Sequence, residues 1–423
     1  MNRTSPLACH LLLGVAICSL LIACSKRETM QGSSAAASEA AAPAAQDAQP
    51  PKSSAPTDLE QLATRLVKNA NVKRGEIVLV GGGTRDIELL ENIVTNVRRV
   101  GAFALVTFDS DRMARRSYTD VPAEFDSDPP KVDLALADLV DAAIFIDTNY
   151  EQAVLADVPA ERRAARAKAS APFTGKFVKN VRLVSVGNEL YPTAWQAERL
   201  GVSEAQLTRL FWDGVNVDYS ELQSRAETIR SQLAATKEIH ITTPGGTDLT
   251  MNVAKRPVVV SDGIISEQDR KAGGAAAWVF LPAGEVMTTP RPGDVNGRVV
   301  AERLYYDGKA IENLTLTFVK GKLTEMTGGG AGFEAARQRY DAADDPNKSA
   351  FAFFDLGINP SLALPADNKT GTWVSAGMVT VGIGDNTPFG GENSSSFSLA
   401  AHLTGATVTL DGKTVVENGS LKL

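Results

Sequence analysis

Four short, largely apolar runs, the first three unbroken and the fourth interrupted by Arg182 and Ser185, alternate with amphipathic helical stripes between residues 57 and 236, and this alternation constrains the fold more than any other feature. The runs are Ile77-Val78-Leu79-Val80, Phe103-Ala104-Leu105-Val106, Ala143-Ile144-Phe145-Ile146 and Val181 to Val186. A strand without polar alternation suits a sheet covered on both faces, which is the usual condition of parallel sheets. Between the first two runs, Ile87, Leu90, Ile93, Val94 and Val97 share one helical face, and Gly101 marks its stop. Upstream, Leu59, Leu62, Ala63, Leu66 and Val67 form another stripe, opened by a capping-box pattern at Thr57-x-x-Glu60. Further helices are expected near 203–212 and 219–235. The alternation predicts an open parallel α/β sheet over residues 57–236.

The pattern changes at Lys237. His240-Ile241-Thr242-Thr243, Pro244-Gly245-Gly246 and Leu249 to Val253 read as a hairpin, as do Ala406 to Leu410, Asp411-Gly412 and Lys413 to Val416. Val299 to Tyr306 is followed by Gly308 and then by Leu314 to Phe318, and one clear helix runs from about Gly332 to Tyr340. Residues 237–423 are therefore expected to form a β-rich, mainly antiparallel domain. A chain of 423 residues exceeds one ordinary core, and 43% hydrophobic content can fill two. The net charge of −7 gives no basic face for nucleic acid, so nucleic-acid partners are not expected.

The first residues are read as a targeting segment. Arg3 precedes a short apolar stretch, Leu11 to Ala23, which ends in Leu21-Ile22-Ala23-Cys24. This is similar to a bacterial lipobox, so residues 1–23 are expected to be a lipoprotein signal peptide and Cys24 the lipidated terminus. Ser25 after the cysteine favours an outer-membrane anchor facing the periplasm. Residues 24–56, rich in Ala, Pro and Ser, read as a flexible linker. All three cysteines, Cys9, Cys18 and Cys24, fall in this leader, which leaves the rest of the chain without thiol chemistry.

Candidate chemistry is carboxylate-rich and histidine-poor. Beyond the leader there are only His240 and His402, and no G-x-S-x-G elbow supplies a serine nucleophile. Gly81-Gly82-Gly83-Thr84-Arg85 follows the first strand but matches no phosphate-binding fingerprint, so a tight turn is the simpler reading. Acids beside glycines and apolar strands stand out: Glu285 in LPAGEV, Asp355 in FFDLGINP, and Asp385 with Asn386 in GIGDN. They suit either a hard cation or turn formation.

LPAGEV, FFDLGINP, GIGDN-x-x-FGG-x-N and the closing TVTLDG resemble the thermophilic aminopeptidases, the aminopeptidase T and aminopeptidase S group of metallopeptidases. PGGTDLT at Pro244 to Thr250 and Phe211-Trp212-x-Gly214-x-x-x-Asp218-Tyr219 are similar as well. The resemblance implies an α/β domain, a β-rich domain, a cleft near their junction, often a dimer, and two divalent ions, zinc or cobalt, that activate water. Residue by residue, it places metal ligands at Glu285 and at Asp355, where the family has glutamate. It places them also at Thr380, Ser398 and Ala400, where the family has two histidines and an aspartate. Oxygen-only remnants bind zinc weakly. The expectation is therefore an aminopeptidase fold without a dinuclear site and without a required cofactor, serving as a peptide-binding or scaffolding module. In it Glu285 would be hydrogen-bonded to backbone amides, to Thr380 or Ser398, or to a basic side chain. The alternative is an active aminopeptidase with a rearranged set of Glu285, Asp355, Asp385 and His402. An iron-dependent ring-cleaving chemistry would need two histidines that are missing from the matched positions.

Overall fold

The computed structural model describes residues 56–148 and 150–423. The signal segment, Cys24 and the linker up to residue 55 lie outside them. The first strands are β1 (Ile77–Gly82), β2 (Phe103–Phe108), β3 (Ala142–Ile146) and β4 (Arg182–Val186). They pair in parallel in the order β2-β1-β3-β4; a helix at 59–69 precedes β1, and helices at 87–99, 131–139 and 160–180 lie among the connections. Two of these helices, 131–139 and 160–180, have no counterpart in the sequence reading, because neither presents a sharp apolar stripe. Local details also shift. The first helix is capped by Asp58, whose carboxylate accepts the Gln61 N–H at 2.9 Å, while Thr57 Oγ1 accepts from Asn216. In the second helix Leu89 is buried and Ile87 is 53% exposed, so the apolar face is rotated from the expected one.

The remaining strands are β5 (Glu238–Thr242), β6 (Asp248–Asn252), β7 (Val258–Ser261), β8 (Trp278–Leu281), β9 (Glu285–Thr288), β10 (Val295–Tyr306), β11 (Lys309–Val319) and β12 (Lys322–Gly329). They continue with β13 (Phe351–Gly357), β14 (Val379–Gly384), β15 (Ser398–Leu403), β16 (Thr407–Leu410), β17 (Lys413–Glu417) and β18 (Ser420–Leu421). One antiparallel sheet runs β12-β11-β10-β6-β5-β16-β17-β18, and a second runs β15-β14-β13-β9-β7. The architecture is thus a parallel α/β sheet followed by antiparallel, β-rich sheets.

One strand departs from chain order. β8 returns to the first sheet and pairs in parallel with β4, Leu183 opposite Trp278 and Val186 opposite Leu281. A cut between residues 236 and 237 would sever this strand from its sheet. Trp278 Nε1 also donates to Val181 O at 2.8 Å. Because β8 ends at Leu281 and β9 begins at Glu285, the LPAGE turn carries the chain directly from the parallel sheet into an antiparallel one. A continuous apolar core runs through both, from Leu62 and Ile144 to Val286, Phe354 and Val381. A short helix at 267–272 and a longer one at 331–342 interrupt the β-rich region.

Candidate functional site

Cross-strand register builds the site. In the β15-β14-β13-β9-β7 sheet, Asp355 pairs with Thr380 on one side and with Met287 on the other, and Thr380 pairs with His402. Directly paired residues point to the same face, as do residues two apart. Glu285, Asp355, Thr380 and His402 therefore share one face, with Ala400 and Ser398 further along β15. Ser398 pairs with Gly384 and Ala400 with Gly382.

The LPAGE turn and the segment after β13 fix this row in place. Ile358 N–H donates to Gly284 O at 2.8 Å, and Gly284 N–H donates to Ser261 O at 3.0 Å. Asn359, fully buried, donates from Nδ2 to Ala283 O at 2.7 Å and to Gly214 O at 3.0 Å. One amide thus ties together the two acidic segments and the 204–215 helix. Downstream of that helix, Asp218 caps the 219–235 helix by accepting from Ser220 N and Glu221 N. These residues of the recognisable motifs are structural.

Electrostatics single out two carboxyls. Glu285 is buried, and desolvation raises its pKa from 4.5 to about 7, against a hydrogen bond from Ser261 and with added repulsion from Glu189. The partner is Ser261, across the β7–β9 pairing, rather than Thr380, Ser398 or a basic side chain. Asp355 is completely buried, and neither carboxylate oxygen has a partner in good hydrogen-bond geometry; the neighbouring Leu356 N–H lowers its pKa only as the smallest contribution. Burial first, and then the Glu285 charge, push its pKa well above the ordinary carboxylate range.

His402 stands directly opposite Thr380, and its Nδ1 lies 2.8 Å from Thr380 Oγ1. Desolvation lowers its pKa to about 4, so the ring is neutral at neutral pH. Strand pairing thus brings this imidazole beside Thr380, one of the matched positions. Asp385 does not join the row. Its Oδ1 accepts from Thr387 N and Thr387 Oγ1, both at 2.7 Å, as a turn former does. Ser398 Oγ accepts the Asp385 N–H at 3.2 Å. His240 is structural, bonded to Asp248 at 2.8 Å across its hairpin.

Two features that sequence reasoning missed complete the site. An aromatic wall runs along the row: Phe389 stacks on Phe353 at 4.0 Å, Phe353 on Trp373 at 5.9 Å, and Trp373 meets His402 edge-on at 5.2 Å. Gly382 is required there, because a Cβ would collide with the Phe353 ring. The second is Glu189, exposed after β4, whose carboxylate accepts from Trp373 Nε1 at 3.4 Å. Its charge reaches Glu285 and His402, so the end of the parallel sheet faces the carboxylate row. The Gly81–Gly83 turn feeds a separate cluster, with the Arg85 guanidinium 4.3 Å from both the Tyr150 and Tyr191 ring centres and both hydroxyls donating to Asp86.

The site is thus a parallel α/β sheet bringing an acidic residue to a carboxylate-bearing antiparallel sheet. Comparison with known proteins sharpens this. The chain is 25% identical over 288 residues to aminopeptidase AmpS of Bacillus subtilis, spanning 63% of this chain and 68% of that protein. Wild-type AmpT from Thermus thermophilus superposes with a TM-score of 0.64 at 18% identity, covering 86% of this chain and 99% of that one. The 2,5-dihydroxypyridine dioxygenase of Pseudomonas putida KT2440 superposes with a TM-score of 0.52 at 16% identity, covering 86% and 96%. Residues 213–423 match the family described as NicX: 2,5-dihydroxypyridine 5,6-dioxygenase. The AmpS and AmpT likenesses support membership of the aminopeptidase family, as the motifs imply.

Proposed function

We propose that the protein is a lipid-anchored, periplasm-facing module that keeps the aminopeptidase fold and holds the amino terminus of a peptide at the Glu285–Asp355 pair. The observation that carries this reading is the Asp355 carboxyl, buried beside a second buried acid with neither oxygen in good hydrogen-bond geometry. Neither acid has a cation among its electrostatic partners. Such a pair favours a positively charged ligand that donates several hydrogen bonds, and an α-ammonium offers one charge and three N–H donors. The aromatic wall of Phe353 and Trp373 offers apolar surface for the first side chain.

The donors do not fit a pair of metal ions. Thr380, Ser398 and Ala400 offer at most hydroxyls, the His402 Nδ1 is engaged by Thr380, and no group of three His, Cys, Asp or Glu side chains among the described residues is disposed to hold an ion. The expected result is calorimetric binding of a peptide with a free amino terminus, abolished by N-acetylation and weakened by Glu285→Gln. Equal binding of the acetylated peptide would end the reading.

The Asp355 carboxyl without a well-placed partner is the observation that favours the alternative, a metal-dependent aminopeptidase with a rearranged ligand set drawn from Glu285, Asp355, Asp385 and His402, which these side chains would have to move to form. Cobalt- or zinc-stimulated hydrolysis of aminoacyl-anilides, lost in Glu285→Ala, would establish it in place of the first. Anchoring through Cys24, an outer-membrane location and a homodimer remain part of the proposal. Membrane fractionation of wild type against Cys24→Ala, and sedimentation of the detergent-solubilised chain, test them.

A further inference from the structure

We propose a second, anion-binding subsite at the junction of the two halves, built from Arg199, Trp195 and Tyr305, that takes the carboxylate of a short peptide. The choice of a peptide as its source rests on the function proposed above; the subsite itself rests on separate residues. Trp195 and Arg199 lie four apart on the 194–200 helix and so share a face. The Arg199 guanidinium sits 4.5 Å from the Trp195 ring centre and 4.5 Å from that of Tyr305, which comes from β10. Stacking against rings uses the guanidinium's planar surface and leaves its five N–H donors, which lie in the plane, for hydrogen bonds.

Among the described carboxylates, Glu189 acts on this cation through its charge. The Arg199 Nε is buried and has no acceptor, and the same is true of the Trp195 indole Nε1. Burial pulls its pKa below the ordinary arginine value, yet a guanidinium keeps its charge at neutral pH. Two unpartnered donors beside a cation that the Glu189 charge only offsets in part are satisfied together by an oxyanion, and a carboxylate matches the planar fork.

The helix is held for the purpose. Thr370 Oγ1 donates to Arg199 O at 2.9 Å and Asn368 Nδ2 to Leu200 O at 2.6 Å, while Gln196 Nε2 donates to Glu189 O. Glu189 links this subsite to the carboxylate row, because its charge acts on Arg199, on Glu285 and on His402. A ligand with an ammonium at one end and a carboxylate at the other would meet complementary charge on both sides of Glu189.

The test uses the full chain with indole 15N labelling, the Trp195 signal being assigned by Trp195→Phe. The titrants are alanyl-alanine, its C-terminal amide, N-acetyl-alanyl-alanine and inorganic phosphate. We expect alanyl-alanine to move the Trp195 Nε1–H resonance and to bind about tenfold more tightly than the amide, the scale of a lost charge-assisted hydrogen bond. Trp195→Phe and Arg199→Met should each erase that preference. If the acetylated acid moves the resonance as strongly as the free peptide, the subsite stands and the ammonium reading falls. A response to phosphate but to no carboxylate overturns the peptide carboxylate as ligand. Equal affinity for acid and amide, or no movement with any titrant, overturns the subsite.

Discussion

Replacing Glu285 with glutamine should change the slope of stability against pH, and the structure sets the size of that change. In the folded protein the Glu285 carboxyl titrates at about 7, against 4.5 when unburied. Between these values the folded chain binds more protons than the unfolded one, so wild-type stability falls as pH rises through the window. Moving a carboxyl from 4.5 to about 7 corresponds to about 3 kcal/mol, at roughly 1.4 kcal/mol per tenfold. Glutamine keeps the shape and can still bond Ser261, but it carries no charge. The stability of Glu285→Gln minus that of wild type should therefore climb by about 3 kcal/mol across this range. The Glu285 charge also pushes Asp355 up, so its removal lowers the Asp355 pKa and adds in the same direction at higher pH. Urea unfolding followed by circular dichroism, with EDTA present, measures the difference at each pH. A flat difference curve, or one that declines with pH, would refute the burial argument for this acid.

His402→Gln should act with the opposite sign. Folding depresses the imidazole pKa from 6.5 to about 4, so its contribution is complete above 6.5 and is lost as pH falls; the variant should lose less stability on acidification, by about 1–3 kcal/mol since the ring keeps an exposed edge, in the same urea series. Gly382→Ala should drive a methyl into Phe353 and cost about 1–3 kcal/mol, read as a lowered melting temperature. Asn359→Leu leaves the carbonyls of Ala283 and Gly214 without their amide donor, and a loss of about 2–4 kcal/mol is expected in denaturant unfolding. Asp218→Ala removes the cap of the 219–235 helix and should cost about 1 kcal/mol, unlike Asp218→Asn, which should be nearly neutral.

Local chemistry was enough to determine much of this protein. The apolar runs became β1 to β4, the Pro244-Gly245-Gly246 and Asp411-Gly412 turns closed the hairpins they suggested, and the motif residues named the fold class. Each of these depends on the preferences of neighbouring residues, which a linear reading can see. Only the tertiary structure decided that Trp278 to Leu281 belong to the parallel sheet, that His402 stands opposite Thr380, that the Asp355 oxygens lack a well-placed partner, and that Arg199 meets both Trp195 and Tyr305. Strand pairing joins residues far apart in sequence, and a register one residue different would have turned Asp355 or His402 to the other face. Burial and partnership are properties of that pairing, so the charge states at the site become readable only once the sheets are assembled.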